Sequence, residues 1–131
     1  MKCLSVLQPW AHLILSGQKW VENRTWTTRH RGPLLIHAGR GKTALEAARI
    51  AVPTARWTET DLVYGAIVGI VNVVDCWPID DPRLAQPPYS GWAFGPSCWV
   101  LAEPRAFGRP IEWRGRLGLF EVADAVLRRA G

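Results

Sequence analysis

The apolar residues of this chain come in short runs broken by glycine and proline, and that punctuation constrains the fold more than any other feature. The longest run, GAIVGIVNVV from Gly65 to Val74, suits a buried strand and falls well short of the ~18 continuous apolar residues of a spanning helix. Similar strand signals lie at Cys3 to Leu7, Trp20 to Trp26, Leu34 to Ala38, Cys98 to Leu101 and Leu117 to Val122. Two short helices fit between them. The first begins near Pro9, whose missing amide hydrogen costs nothing in a first turn, turns Trp10, Leu13 and Ile14 inward, and ends at Gly17. The second, Ala44 to Ala51, follows Thr43 and Glu46 at capping-box spacing and stops before Pro53. The Arg114-Gly115-Arg116 segment reads as a hairpin-like turn before the last strand. About six strands with short flanking helices, in no regular strand-helix alternation, predict a mixed α/β fold built on a small barrel.

A length of 131 residues with 48% apolar content is enough for one core, so a single domain over residues 1–131 is expected, with no need of disulfides or a structural metal. Cys3, Cys76 and Cys98 have no paired zinc spacing, and His12, His30 and His37 form no ligand motif. Neither a metal nor any other cofactor is expected. Gln8 and His12 interrupt the first apolar stretch and no cleavage signal follows it, which predicts a cytoplasmic protein without a membrane partner. Sixteen Lys and Arg against eleven Asp and Glu give a net charge of +5, a balance that attracts phosphate-bearing partners and equally serves solubility.

Two enzymatic motifs are only fragments. Gly39-Arg40-Gly41-Lys42-Thr43, with Asp75 farther on, resembles part of a phosphate-binding loop, but Ile36 stands where that loop needs glycine. Thr43 as a helix cap is the simpler role. No nucleophile elbow surrounds Ser5, Ser16, Ser90 or Ser97, and no acidic partner is assigned to any histidine, so nothing here supports a serine hydrolase.

The denser constellation is QPWAHLILSGQKWVENRTW. It places Gln8 at a strand-to-helix junction, Lys19 just before a strand, and Glu22 and Arg24 on one face of that strand. Lysine and arginine attract phosphate or an oxyanion, glutamine offers donor and acceptor, and glutamate accepts a base hydrogen or moves a proton. The same residues also suit an ordinary ion pair of Glu22 with Lys19 or Arg24, and a backbone bond by Gln8. His37, ending LLIHA, is either a ligand contact or base, or a neutral imidazole satisfying strand-end backbone. Among eight tryptophans, Trp10 and Trp99 have core-like flanks, whereas Trp92 lies in a glycine-flanked loop and either stacks on a ligand or plugs the barrel. The basic turn with Arg29 and Arg31 is a candidate for the ligand entrance.

LSVLQPWAHLILSGQKWVENRTW, RGPLLIHA, GAIVGIVNVVD, GPSCWVLAEPRAF and PIEWRGRLGLFEV together resemble the ASCH family over nearly the whole chain. The resemblance implies a PUA-like β-barrel with a cleft beside the first helix, in which Gln8, Lys19, Glu22 and Arg24 match the characteristic polar positions. Members are associated with RNA or nucleic-acid binding, and some relatives are ribonucleases or amidohydrolases acting on acetylated cytidine. The amidohydrolase-like members use a lysine and a threonine three residues later; Lys19 matches the first and Glu22 replaces the second.

The expected function is binding of RNA or a modified nucleoside through Gln8, Arg24, His37 and Trp92 beside Lys19 and Glu22. One alternative is a metal-independent hydrolase of RNA or an acylated cytidine, with Lys19 and Glu22 catalytic. Another is an adaptor that binds a protein partner through its tryptophans and arginines.

Overall fold

The structure, a computed structural model, describes residues 1–130. Six strands carry it: β1 (Lys2–Val6), β2 (Val21–Arg24), β3 (Gly32–Ala38), β4 (Ala66–Pro78), β5 (Ser97–Glu112) and β6 (Leu119–Glu121). They form one sheet in the order β2-β5-β4-β3-β1-β6, antiparallel except for the β1/β3 pair. The helices are α1 (Trp10–Leu15) and α2 (Ala44–Ala51), with short 3-10 turns at Glu59–Asp61, Pro82–Ala85 and Asp124–Ala130. The mixed α/β class and the six strands are as expected. The sheet curls into a half-barrel whose two ends are not joined by a ladder.

Strand alternation sorts the core into two faces. Leu4 and Val6 of β1, Leu34 and Ile36 of β3, Val71 and Val73 of β4 and Trp99 of β5 turn to the concave face, where α1 inserts Ala11, Ile14 and Leu15. Cys3, Leu35, Ile67, Ile111 and Phe120 turn the other way and are covered by Val126 and Leu127 of the last 3-10 turn. On that second face the parallel register continues Cys3 and Leu35 into the polar pair Ser5 and His37. Two apolar positions followed by two polar ones therefore mark where the core ends and an opening begins.

Three local expectations differ from the structure. β5 runs far beyond Cys98–Leu101, through Pro104 and Pro110. β2 pairs only with its Ser97–Val100 stretch, the Leu101 amide still donates to the Trp20 carbonyl, and beyond Leu101 no strand pairs with that side of β5. Neither proline has a Cα partner in the β4 register, so their missing amide hydrogens cost no ladder bond. Arg114-Gly115-Arg116 is no hairpin turn, because β5 and β6 lie at different places in the sheet; it crosses the end of the barrel instead. Thr43 does not cap α2. It already has helical angles (φ −67°, ψ −21°), and its side chain makes no capping bond. The reciprocal capping arrangement forms farther on, between Thr58 and Asp61.

The seat of α1 depends on Gly69, which lies where the β4/β5 register shifts. A β-carbon there would come within 2.6 Å of the Arg105 carbonyl oxygen and 2.7 Å of the Leu15 methyls. The carbonyl belongs to a strand and cannot swing aside. Gly69→Ala is expected to lower stability by about 1–3 kcal/mol, through overpacking, with a correspondingly lower urea midpoint. An unchanged midpoint would show that Leu15 and β5 are not held as tightly as described.

Candidate functional site

β2, a four-residue edge strand, carries the charged cluster. Glu22 sits opposite Trp99, on the face turned to the concave core. Its carboxylate is buried and both oxygens are taken: Oε1 accepts from Lys19 Nζ at 3.0 Å, and Oε2 from Arg24 Nε at 2.9 Å. Lys19 also donates to the Val21 carbonyl, and its ammonium lies 5.6 Å from the Trp10 ring centroid. Two cations around one carboxylate, each with further partners, satisfy the condition under which buried charge is tolerated.

Arg24 carries this cluster across the seam of the half-barrel. Its Nη2 donates to the Ser5 carbonyl at 2.8 Å. β6 pairs with β1 only as far as Leu4, and Val6 turns its carbonyl the other way, toward Gly39. The Ser5 carbonyl is thus the first on that edge without a strand partner, and Arg24 supplies the missing donor.

The Ser5 hydroxyl lies 2.9 Å from His37 Nδ1, and His37 Nε2 lies 2.7 Å from the Trp113 carbonyl. A carbonyl only accepts, so Nε2 holds the hydrogen and the neutral ring receives the Ser5 hydroxyl hydrogen at Nδ1. Burial pushes the imidazole below its ordinary value of 6.5. The bond to Trp113 opposes that shift, and the charge of Arg40 adds to it.

Above this pair opens a cleft of about 1080 Å³ at the end of the strands. Its wall holds five arginines, Arg24, Arg40, Arg114, Arg116 and Arg129, against one carboxylate, Glu112. Among the described residues, none of the last four arginines has a carboxylate within ion-pair distance. The loop after β5 comes so close to the floor that a β-carbon on Gly115 would stand 2.7 Å from His37 Cε1 and 3.0 Å from Ser5 Oγ. Only glycine brings backbone that near. The amides of Arg114, Gly115 and Arg116 find no acceptor among the described residues, so they add donors to a strongly positive rim.

Of the six residues singled out in the sequence, the structure brings Lys19, Glu22, Arg24 and His37 into one polar line, and only Arg24 and His37 reach the cleft wall. Gln8 is buried elsewhere: its amide nitrogen donates to the Val63 carbonyl and its oxygen accepts from the His12 amide, joining α1 to the segment before β4. Trp92 packs against Val21, Leu84 and Cys98 on the opposite side of β2, its turn pinned by Asn23. Arg31 lies away from the cleft, paired with Asp75 at 3.3 Å. Ser5, Arg40, Trp113 and the Arg114–Arg116 loop were not among the expected site residues: Arg40 stood out only within an incomplete phosphate-loop fragment and Arg114–Arg116 only as a turn. The usable signal was a polar residue at the end of each of two apolar strands, together with a glycine between two arginines.

The described residues contain no group of three or more metal-ligating side chains, and no helix among them is long and apolar enough to cross a membrane.

Two consequences for stability can be measured. Glu22→Ala would leave Lys19 buried without its counter-charge and is expected to cost about 3–5 kcal/mol in urea unfolding; a loss below 1 kcal/mol would mean that Lys19 finds water instead. For His37, the unfolded ring binds a proton near 6.5 and the folded ring only at a lower pH, so between the two the unfolded chain holds more protons. The stability tied to neutral His37 is complete above about pH 6.5 and is lost as pH falls through the folded value. The wild-type melting temperature should therefore drop from pH 7.5 to pH 5.5 by more than that of His37→Gln. Equal drops would show that His37 is not held neutral.

Comparison with known proteins agrees with this architecture. The sequence model of the ASCH domain matches residues 4–112. Activating signal cointegrator 1 of Homo sapiens is 30% identical over 126 residues, and that of Mus musculus 36% identical over 127. Each alignment takes in 86% of this chain but 22% of the relative, so the chain spans about a fifth of the length of these curated relatives. The crystal structure of ASCH from Zymomonas mobilis superposes with a TM-score of 0.60 over 98% of this chain and 91% of that one. A substituted variant of that protein gives 0.61 over 97% and 93%. Identity to both is 14%, so this likeness concerns the fold.

Proposed function

The chain belongs to the ASCH domain family, and on that footing we propose that its arginine-lined cleft binds RNA or a phosphate-bearing nucleotide. The observation that carries this reading is the five arginines facing one glutamate around a cleft of about 1080 Å³, four of them without an ion-pair partner among the described residues. Arginine forks suit phosphate oxygens, and unpaired loop amides suit them as well. Trp113, half-buried in the wall, offers an aromatic face for a base, a role better placed there than at Trp92.

In this reading Lys19 and Glu22 hold Arg24 rather than touch the ligand. A hydrolytic role would require their head groups to meet substrate, whereas Lys19 and Glu22 face each other and Arg24 behind the cleft. Binding is accordingly the function favoured over cleavage.

The test is the salt dependence of binding to a short single-stranded RNA. Each phosphate contact adds about 0.7 to the steepness of log K against log salt for single strands. The double variant Arg114→Ala/Arg116→Ala, checked for folding by circular dichroism, should bind more weakly and lose about 1.4 of that slope if each arginine meets one phosphate. Saturable binding with an unchanged slope would reject the assignment of the loop. Absence of saturable wild-type binding at micromolar protein would reject the reading itself.

A further inference from the structure

The hydrogen bonds at the floor of the cleft have a direction, and that direction is wrong for an anion. With Nε2–H fixed on the Trp113 carbonyl, neutral His37 draws the Ser5 hydroxyl hydrogen inward to Nδ1. The Ser5 oxygen then presents lone pairs to whatever enters, although the arginines around it favour negative charge. One proton reverses this. A protonated ring donates from both nitrogens, so Nδ1–H points at Ser5 Oγ, Ser5 becomes the acceptor, and its own hydrogen is released to turn into the cleft. The reversal needs no movement of heavy atoms, which suits a place where Gly115 backbone leaves no room.

We infer that Ser5 and His37 form the oxyanion-receiving floor of the cleft, and that a phosphate oxygen bound there enters together with one proton, which settles on His37. The inference rests on the reading of the cleft as a phosphate-binding site and adds its regulation: the ligand is held more tightly in mild acid. The balance is simple. One proton passes from solvent to Nδ1, no covalent bond to the ligand forms, and the pair changes from a hydroxyl donating to imidazole into an imidazolium donating to a hydroxyl.

The charged surroundings set the sign. Arg40, after β3, disfavours a positive charge at His37 while the cleft is empty, and Arg24, from β2, Arg114 and Arg116, on the loop, and Arg129, in the last 3-10 turn, line the same wall. Glu112, at the end of β5, is the single opposing charge in the wall. A phosphate seated among these arginines offsets their field and adds its own attraction, so protonated His37 is more favourable in the complex than in the free protein. By linkage, a group that binds protons better in the complex makes the complex tighter at lower pH. The His37 ring hydrogen-bonds to Ser5 and Trp113, has Gly115 backbone close against it, and meets the Phe120 ring edge-on at 6.3 Å.

The experiment uses the whole chain and an oligouridylate with hydroxyl ends, whose phosphodiesters and bases do not titrate between pH 6 and 8. Wild-type affinity should rise from pH 8.0 to pH 6.0, by up to about tenfold per pH unit, the limit for one linked proton. Calorimetry at pH 6.0 in two buffers of different ionisation heat should show net proton uptake. His37→Gln keeps a donor for Trp113 but has no proton to gain, and should bind with equal affinity at both pH values. Ser5→Ala should lose most of the tightening, because the released donor is gone. His12 and His30 remain in both variants, so the difference belongs to the pair. Should His37→Gln fail to fold, imidazole NMR of the wild type decides: the His37 titration must move to higher pH when oligouridylate is added. Saturable wild-type binding that is independent of pH, or a His37 titration unmoved by ligand, overturns the inference and leaves the cleft as a simple phosphate binder. No binding at either pH overturns both.

Discussion

The bond from Arg24 to the Ser5 carbonyl is the interaction on which the architecture turns. A six-stranded sheet that curls without joining its ends leaves backbone groups at a seam, and unpaired backbone within a core is costly. Here a side chain closes it. Arg24 can do so because Glu22 holds its Nε while Nη2 reaches across, and Glu22 can remain buried because Lys19 takes its other oxygen. Arginine suits this place because Nε and Nη2 lie apart on one rigid planar group, whereas a lysine would have to reach Glu22 and Ser5 from a single nitrogen. The charges recognisable in the sequence thus have a structural task before they have any other.

From that seam, hydrogen bonds pass through Ser5 to His37 and on to Trp113, so the rim loop is tied to the edge strand by a line of satisfied polar groups. In a medium of low dielectric such a line is rigid while complete and costly when broken. Its far end is open to water and surrounded by arginine. The cleft therefore has a hydrogen-bonded floor and a wall of arginines, so the rim can vary in sequence without disturbing the bonds that hold the barrel.

Much of this was legible in the sequence because it depends on local pattern. The strand LLIHA, helix Ala44–Ala51 and the alternation that puts Glu22 and Arg24 on one face all follow from neighbours a few residues apart. What was not legible depends on pairing at a distance. Ser5 and His37 meet only because β1 and β3 are parallel in one register, which no spacing along the chain reveals. The length of β5 was hidden by Pro104, Gly108 and Pro110, residues that usually mark a loop and are tolerated here because that stretch borders an open edge. Gln8 and Trp92 stood out for chemistry that the fold spends on backbone bonds and packing. A resemblance across the whole chain pointed to the architecture, but it could not say which polar residues face water.

The unpaired arginines are informative for the same reason. An exposed arginine costs a protein little, and a surface this rich in charge has carboxylates available: Arg31 and Arg83 each find one, and Arg49 finds two. The rim of the cleft does not follow that habit. Arg40, Arg114, Arg116 and Arg129 stand around a single Glu112 that pairs with none of them among the described residues. At physiological salt, exposed charges farther apart than the screening length of about 8 Å repel one another only weakly. In the proposed binding mode an anion threaded between them would meet each at close range, where screening is least. Such charges cost the fold little while the cleft is empty, and under the proposed function their attraction would be strongest toward a ligand that carries several negative groups in a row.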